Sequence, residues 1–124
     1  MIDAIQVWMP GAFAGLGPEL ARAYSAATGR SIAFAHFRPS GMLAQSILAG
    51  AAADVYVSTD VTWMRWLQRA GLVRHWTTLA RNRLCLIARP EADVRGLDDV
   101  VRSRLNVVAP QSTTDPCGRY VELL

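Results

Sequence analysis

The sequence predicts an α/β fold, with a mostly parallel sheet flanked by helices, for three reasons. Short β-like apolar runs alternate with helix-like runs along the 124 residues. Glycine and proline stand at the boundaries between these runs. The chain is 52% hydrophobic and 19% charged, so it can bury a core, and disordered, collagen-like and coiled-coil structures are excluded. Strands that alternate with helices imply right-handed crossovers and a mostly parallel sheet.

The first strand is predicted over residues 5–9, where Ile, Val, Trp and Met lead to a Pro-Gly pair. A helix follows from about Pro18, because proline suits the first helical turn. Gly29 is a natural left-handed helix stop. Residues 31–37 alternate as a second strand, which Arg38-Pro39 ends.

Ser40 precedes the next helix-like run and is predicted as its N-cap, since a serine hydroxyl accepts from an otherwise unpaired amide. A third strand is predicted over 54–58. Thr59 or Asp60 then caps a helix that ends at Gly71.

The second half of the chain predicts a strand within 79–88, a short helix over 97–102, a strand over 105–109 and a helix beginning at 118. Cys85 lies inside an apolar run and is expected to be buried. Its distance from Cys117 fits neither a zinc site nor a disulfide framework.

Candidate chemistry is concentrated in three turns before helices, over residues 10–12, 39–41 and 113–118. Each places free backbone amides at a helix start, where they and the helix dipole can hold an anion without a cationic side chain. An ordinary N-cap is the competing interpretation of Ser40.

Other chemistries have weaker signals. His36 and His75 match no metal spacing, and the early glycines do not form a nucleotide-binding fingerprint. Cys117 could be a thiolate activated at a helix start, although no neighbouring base is identifiable. The net charge of +3 comes from scattered arginines with no lysine, which does not indicate a nucleic-acid surface.

Four blocks carry a resemblance to a known family: residues 43–50, 53–60, 79–84 and 115–120. In this order and register they resemble the amino-terminal part of the periplasmic molybdate-binding proteins, the solute receptors of molybdate and tungstate ABC transporters. The Asp-Pro-Cys-Gly block is most similar to the tungstate/molybdate branch.

The resemblance implies a periplasmic-binding-protein-like fold of type II, with two lobes that close on a tetrahedral oxyanion. Residues 1–78 would form the first lobe, 79–88 the hinge strand, and 89–124 the start of a truncated second lobe. It implies a non-enzymatic protein with molybdate or tungstate as ligand, no cofactor or metal-cation site, an ABC permease as partner, no nucleic acid, and only indirect membrane association. The family is periplasmic, but no export signal is visible here, so a chain complete as it stands would be cytoplasmic.

Ligand residues carry over one by one. Ser40, with Gly41 beside it, matches the family's second ligand serine. Ala12, next to Gly11, replaces the first ligand serine and leaves only backbone amides there. Cys117 stands where the family donates a main-chain amide. Because loss of one donor to a charged oxygen costs about 1.5–3 kcal/mol, binding by this chain is expected to be weak.

Three alternatives to a transporter receptor remain open. The first is a cytosolic oxyanion-sensing domain of a regulator, which the missing export signal favours. The second is an enzyme that uses Cys117. The third is a half-receptor that self-associates through its exposed apolar face.

Overall fold

The computed structural model describes residues 4–103 and 105–123, which form a small α/β fold. The strands are β1 (Ile5–Met9), β2 (Ile32–Phe37) and β3 (Val55–Tyr56). A 3-10 turn (Gly11–Phe13) follows β1, and the helices are α1 (Gly17–Thr28), α2 (Ser40–Leu48), α3 (Val61–Arg69), α4 (Leu97–Arg102) and α5 (Pro116–Glu122).

The three strands form a parallel sheet in the order β2-β1-β3. Met9 pairs with Phe37, and Trp8 pairs with Tyr56, so all three strands end at one edge. The turns that lead into the 3-10 turn, α2 and α3 therefore start from this carboxyl edge, where ligands collect in parallel sheets. The predicted α/β class with a parallel sheet and flanking helices is confirmed.

The core lies between the central strand and the two helices that follow β2 and β3. On β1, Val7, Trp8 and Met9 are buried consecutively, which is the pattern of a strand covered on both faces. Leu43 of α2 and Leu67 of α3 are also buried. The core thus fixes the starts of α2 and α3 relative to the sheet.

The helix boundaries follow local chemistry where the sequence predicts it. Gly29 ends α1 with φ +69°, and Gly71 follows α3 with φ +75°, both in the left-handed region that glycine tolerates. The Asp60 carboxylate accepts from the Thr62 amide at 2.8 Å and caps α3. These three predictions are confirmed.

The predicted N-cap role of Ser40 is wrong. Pro39 occupies the N-cap position of α2 in an extended conformation, and Ser40 is the first helical residue. The Ser40 hydroxyl contacts Thr59 instead, because the end of β3 brings that amide within reach.

The second half contains the helices the sequence predicts but not the strands. The last helix begins at Pro116, two residues before the predicted start. Residues 79–88 and 105–109 are exposed and form no strand, and Cys85 is exposed rather than buried. A strand needs an adjacent sheet edge to satisfy its backbone, and among the described residues the sheet consists of β1, β2 and β3. The division into lobes at 79–88 stays a prediction.

Candidate functional site at the carboxyl edge of the sheet

Ser40 ties the start of α2 to the end of β3. Ser40 is fully buried, with 0% of its surface exposed to solvent. Its hydroxyl oxygen accepts from the Thr59 amide at 3.1 Å and lies 3.2 Å from the Thr59 hydroxyl. Its carbonyl accepts from the Tyr56 hydroxyl at 2.8 Å. Burial, reinforced by the charge of Asp60, raises the pKa of Tyr56 to about 12.

At Gly41, α2 lies in close contact with Thr114 in the distal part of the chain. Its amide donates to the Thr114 carbonyl at 3.0 Å. A Cβ added at this position would lie 2.7 Å from that carbonyl oxygen and 2.6 Å from the indole of Trp63. Glycine is therefore required here by close packing, because any side chain would push Thr114 or Trp63 away.

Residues 112–119, which we call the docking segment, contact the first half of the chain at a second point. The Arg119 guanidinium lies 3.3 Å from the Asp60 carboxylate, whose side chain is 4% exposed, compared with 37% for that of Arg119. One Asp60 oxygen caps α3 and the other faces Arg119. The buried carboxylate thus has both a hydrogen-bond donor and a counter-charge, as a buried charge requires.

Cys117 lies within the docking segment at the start of α5. Its amide donates to the Asp115 carboxylate at 2.8 Å, so the helix is capped by its own side chain. Burial, together with the Asp115 charge, raises the pKa of the Cys117 thiol. A raised pKa opposes thiolate formation, which argues against the enzyme alternative.

Gly11 and Ala12 lie at the same edge of the sheet but on the exposed surface. They open the 3-10 turn after Pro10, and the first amides of such a turn have no intrahelical acceptor. Ala12 offers no hydroxyl. The structure therefore brings Ser40, Gly41 and the docking segment of Cys117 into contact, whereas the first turn shares only the edge.

Several residues of this region were missed by sequence reasoning. The sequence predicts Thr59 only as a possible helix cap, although its place directly after β3 at the carboxyl edge marks it as a candidate. The indole N–H of Trp63 is buried without a hydrogen-bond partner among the described residues. The pairing of Arg119 with Asp60 has no sequence signal, because the two residues are far apart in the chain.

Two further features of the chain bear on the class of site. Across residues 4–103 and 105–123, no group of three or more His, Cys, Asp or Glu residues is arranged to hold a metal ion. None of the helices described in that part of the chain combines the length and apolarity needed to cross a membrane.

Comparison with known proteins identifies the family. A sequence model described as bacterial extracellular solute-binding protein matches residues 5–124. The molybdate-binding proteins ModA of Mycobacterium bovis and of Mycobacterium tuberculosis (strain H37Rv) are each 36% identical over 85 residues, which is 66% of this chain. The chain spans 32% of the length of these curated relatives. Neither the family model nor these relatives support the regulator alternative. The chain belongs to the bacterial extracellular solute-binding protein family.

Proposed function

We propose that this protein binds a tetrahedral oxyanion of the molybdate and tungstate class, as the solute-binding component of an ABC transporter. The observation that carries the proposal is the Gly41 amide, which lies in the first turn of α2 at the carboxyl edge of the sheet and donates to an oxygen acceptor at 3.0 Å. Family membership and the similarity to ModA proteins support the choice of ligand.

The acceptors now seen at the helix starts indicate what the site prefers. Gly41 donates to a carbonyl oxygen, and Cys117 donates to a carboxylate oxygen. An oxyanion presents the same kind of acceptor with a larger negative charge, so it can replace these oxygens. It would also be stabilised by the helix dipole of α2, whose positive end lies at this edge. Once an oxyanion has displaced those two oxygens, the groups that face it are donors, and donors favour a fully deprotonated dianion because a protonated oxyanion would leave its own proton unpaired.

The binding residues in this proposal are Gly11, Ala12, Ser40, Gly41 and Cys117. The amide of Cys117 becomes available only when the Asp115 carboxylate turns away. The absence of a hydroxyl at Ala12 lowers the expected affinity about ten- to a hundredfold.

The wider context of the proposal follows from the family. The partners are the oxyanion and an ABC permease subunit, with membrane association only through that subunit and no nucleic acid. Molybdate is a ligand rather than a cofactor, the role is binding rather than catalysis, and the compartment is the periplasm. Residues 1–78 would form the first lobe, 79–88 the hinge, and 89–124 the beginning of the second lobe.

Isothermal titration with molybdate, tungstate, sulfate and phosphate tests the proposal. We expect heat with molybdate or tungstate and much less with phosphate. Ser40→Ala should weaken binding, whereas Ser46→Ala should not, because the Ser46 hydroxyl donates to the Met42 carbonyl within the same helix. Absence of heat and of any thermal shift at millimolar molybdate and tungstate would refute the function.

A further inference from the structure

The indole N–H of Trp63 is a buried donor that the fold itself does not use. Trp63 is partly exposed as a residue, but its ring nitrogen is buried and has no hydrogen-bond partner among residues 4–103 and 105–123. A buried donor left unpaired costs free energy, so such a group in a native protein requires an explanation. We propose that this N–H donates to the oxyanion beside the Gly41 amide. The inference rests on the proposed function and adds a binding residue to the same site.

The structure places the indole ring directly against the start of α2. The ring carbon Cζ2 lies 2.6 Å from the point that a Cβ at Gly41 would occupy, and the Thr114 carbonyl oxygen lies 2.7 Å from the same point. Because Cζ2 is separated from the nitrogen by a single ring atom, the indole N–H also lies beside Gly41. The missing side chain at this position thus lets the Gly41 amide, the Thr114 carbonyl and the indole come together.

A tetrahedral oxyanion can serve both donors, whereas the Thr114 carbonyl serves one. That carbonyl accepts from the Gly41 amide at 3.0 Å and forms no hydrogen bond with the indole. In the proposed function, the oxyanion takes the place of this oxygen. Its oxygens point in different directions, so one can accept from the Gly41 amide while another accepts from Trp63. Binding then removes the cost of the unpaired N–H, which favours the ligand over the carbonyl.

An indole N–H also suits the chemistry of this ligand. It donates one hydrogen bond and accepts none, so it favours an oxyanion without a proton of its own. Trp63 lies in the first turn of α3, whose start Asp60 caps, and its ring packs edge-to-face against Trp66 with the centroids 5.7 Å apart. The donor is therefore held in position before the ligand arrives, which lowers the entropy cost of binding.

The first test follows the indole N–H resonances of the 15N-labelled full chain during titration with sodium molybdate. The Trp63 signal is assigned in the unmodified protein from its through-space contacts with Gly41. We expect that signal to move downfield as molybdate binds, because the N–H gains a charged acceptor. Trp76 is the internal control: its indole already donates to the Gln68 side chain at 3.1 Å, so its signal should not move.

The second test compares two tryptophan variants by isothermal titration with sodium molybdate. Trp63→Phe removes the N–H but keeps an aromatic ring, and it should weaken binding about ten- to a hundredfold, the range for a hydrogen bond to a charged group. Trp66→Phe is the matched control, because it makes the same replacement on the same helix, and it should bind within about threefold of the unmodified protein.

The outcomes separate this inference from the proposed function. A Trp63 signal that stays in place while molybdate binds, or equal affinities of the two variants, would overturn the inference and leave the proposed function intact. If Trp63→Phe does not fold, the resonance of the unmodified protein decides alone. Absence of molybdate binding by the unmodified protein would overturn both.

Discussion

The ion pair between Arg119 and Asp60 offers a direct measurement of how firmly the docking segment is held. Arg119→Ala removes the counter-charge of a carboxylate whose side chain is only 4% exposed. The matched control is Arg95→Ala, which also removes one arginine and one ion pair. In that pair the Arg95 and Asp93 side chains are 86% and 85% exposed.

The expected magnitude follows from distance and burial. At the 3.3 Å separation of the two charges, an effective dielectric constant of about 20 gives a gross attraction of about 5 kcal/mol. Most of this is offset, because Arg119 is partly in water and Asp60 regains solvent when the segment moves. We expect Arg119→Ala to lower the free energy of unfolding by about 1–2 kcal/mol, compared with less than about 0.5 kcal/mol for Arg95→Ala.

Two assays report on this loss. Urea unfolding measures the free energy, and hydrogen exchange measures protection of the Gly41 amide, which donates to the Thr114 carbonyl of the docking segment. If the ion pair holds the segment, exchange at Gly41 should accelerate about five- to thirtyfold in Arg119→Ala. Equal stability and equal Gly41 exchange in the two arginine variants would refute the reasoning.

Two further predictions concern ionisable groups. The pKa of Tyr56 is raised to about 12, above its ordinary 10.0. As the pH rises, the unfolded chain therefore loses this proton before the folded protein does. The free energy of unfolding should fall between about pH 10 and 12, with a slope of up to about 1.4 kcal/mol per pH unit. Tyr56→Phe should show a shallower alkaline decline in urea unfolding, and an identical decline would contradict the raised pKa. Because burial and Asp115 raise the pKa of Cys117, its thiol should react with iodoacetamide at pH 7.5 more slowly in the folded protein than in the urea-unfolded chain. Asp115→Asn should speed the reaction of the folded protein, as peptide mass spectrometry would show, and equal rates in the folded and unfolded chains would contradict the prediction.

Local chemistry explains why much of the fold can be predicted from the sequence. The first strand, the end of α1 at Gly29 and the Asp60 cap each depend on neighbouring residues, through apolar patterning, a left-handed glycine or a short side-chain reach. The prediction of a strand within 79–88 is wrong because a strand depends on residues that are distant in the chain. An apolar run is only a potential strand until a sheet edge accepts its hydrogen bonds, and sequence periodicity does not encode that edge.

For the candidate site, the sequence determined that serine, glycine and free amides stand where helices begin, because these properties depend on the adjacent residues alone. Only the tertiary structure decided which partner each polar group has: the Ser40 hydroxyl accepts from the Thr59 amide, the Gly41 amide donates to Thr114, and Asp60 pairs with Arg119. These contacts join parts of the chain that are distant in sequence. They exist because β1, α2 and α3 pack into one core, which sets the positions of the helix starts and so the access of any anion to them.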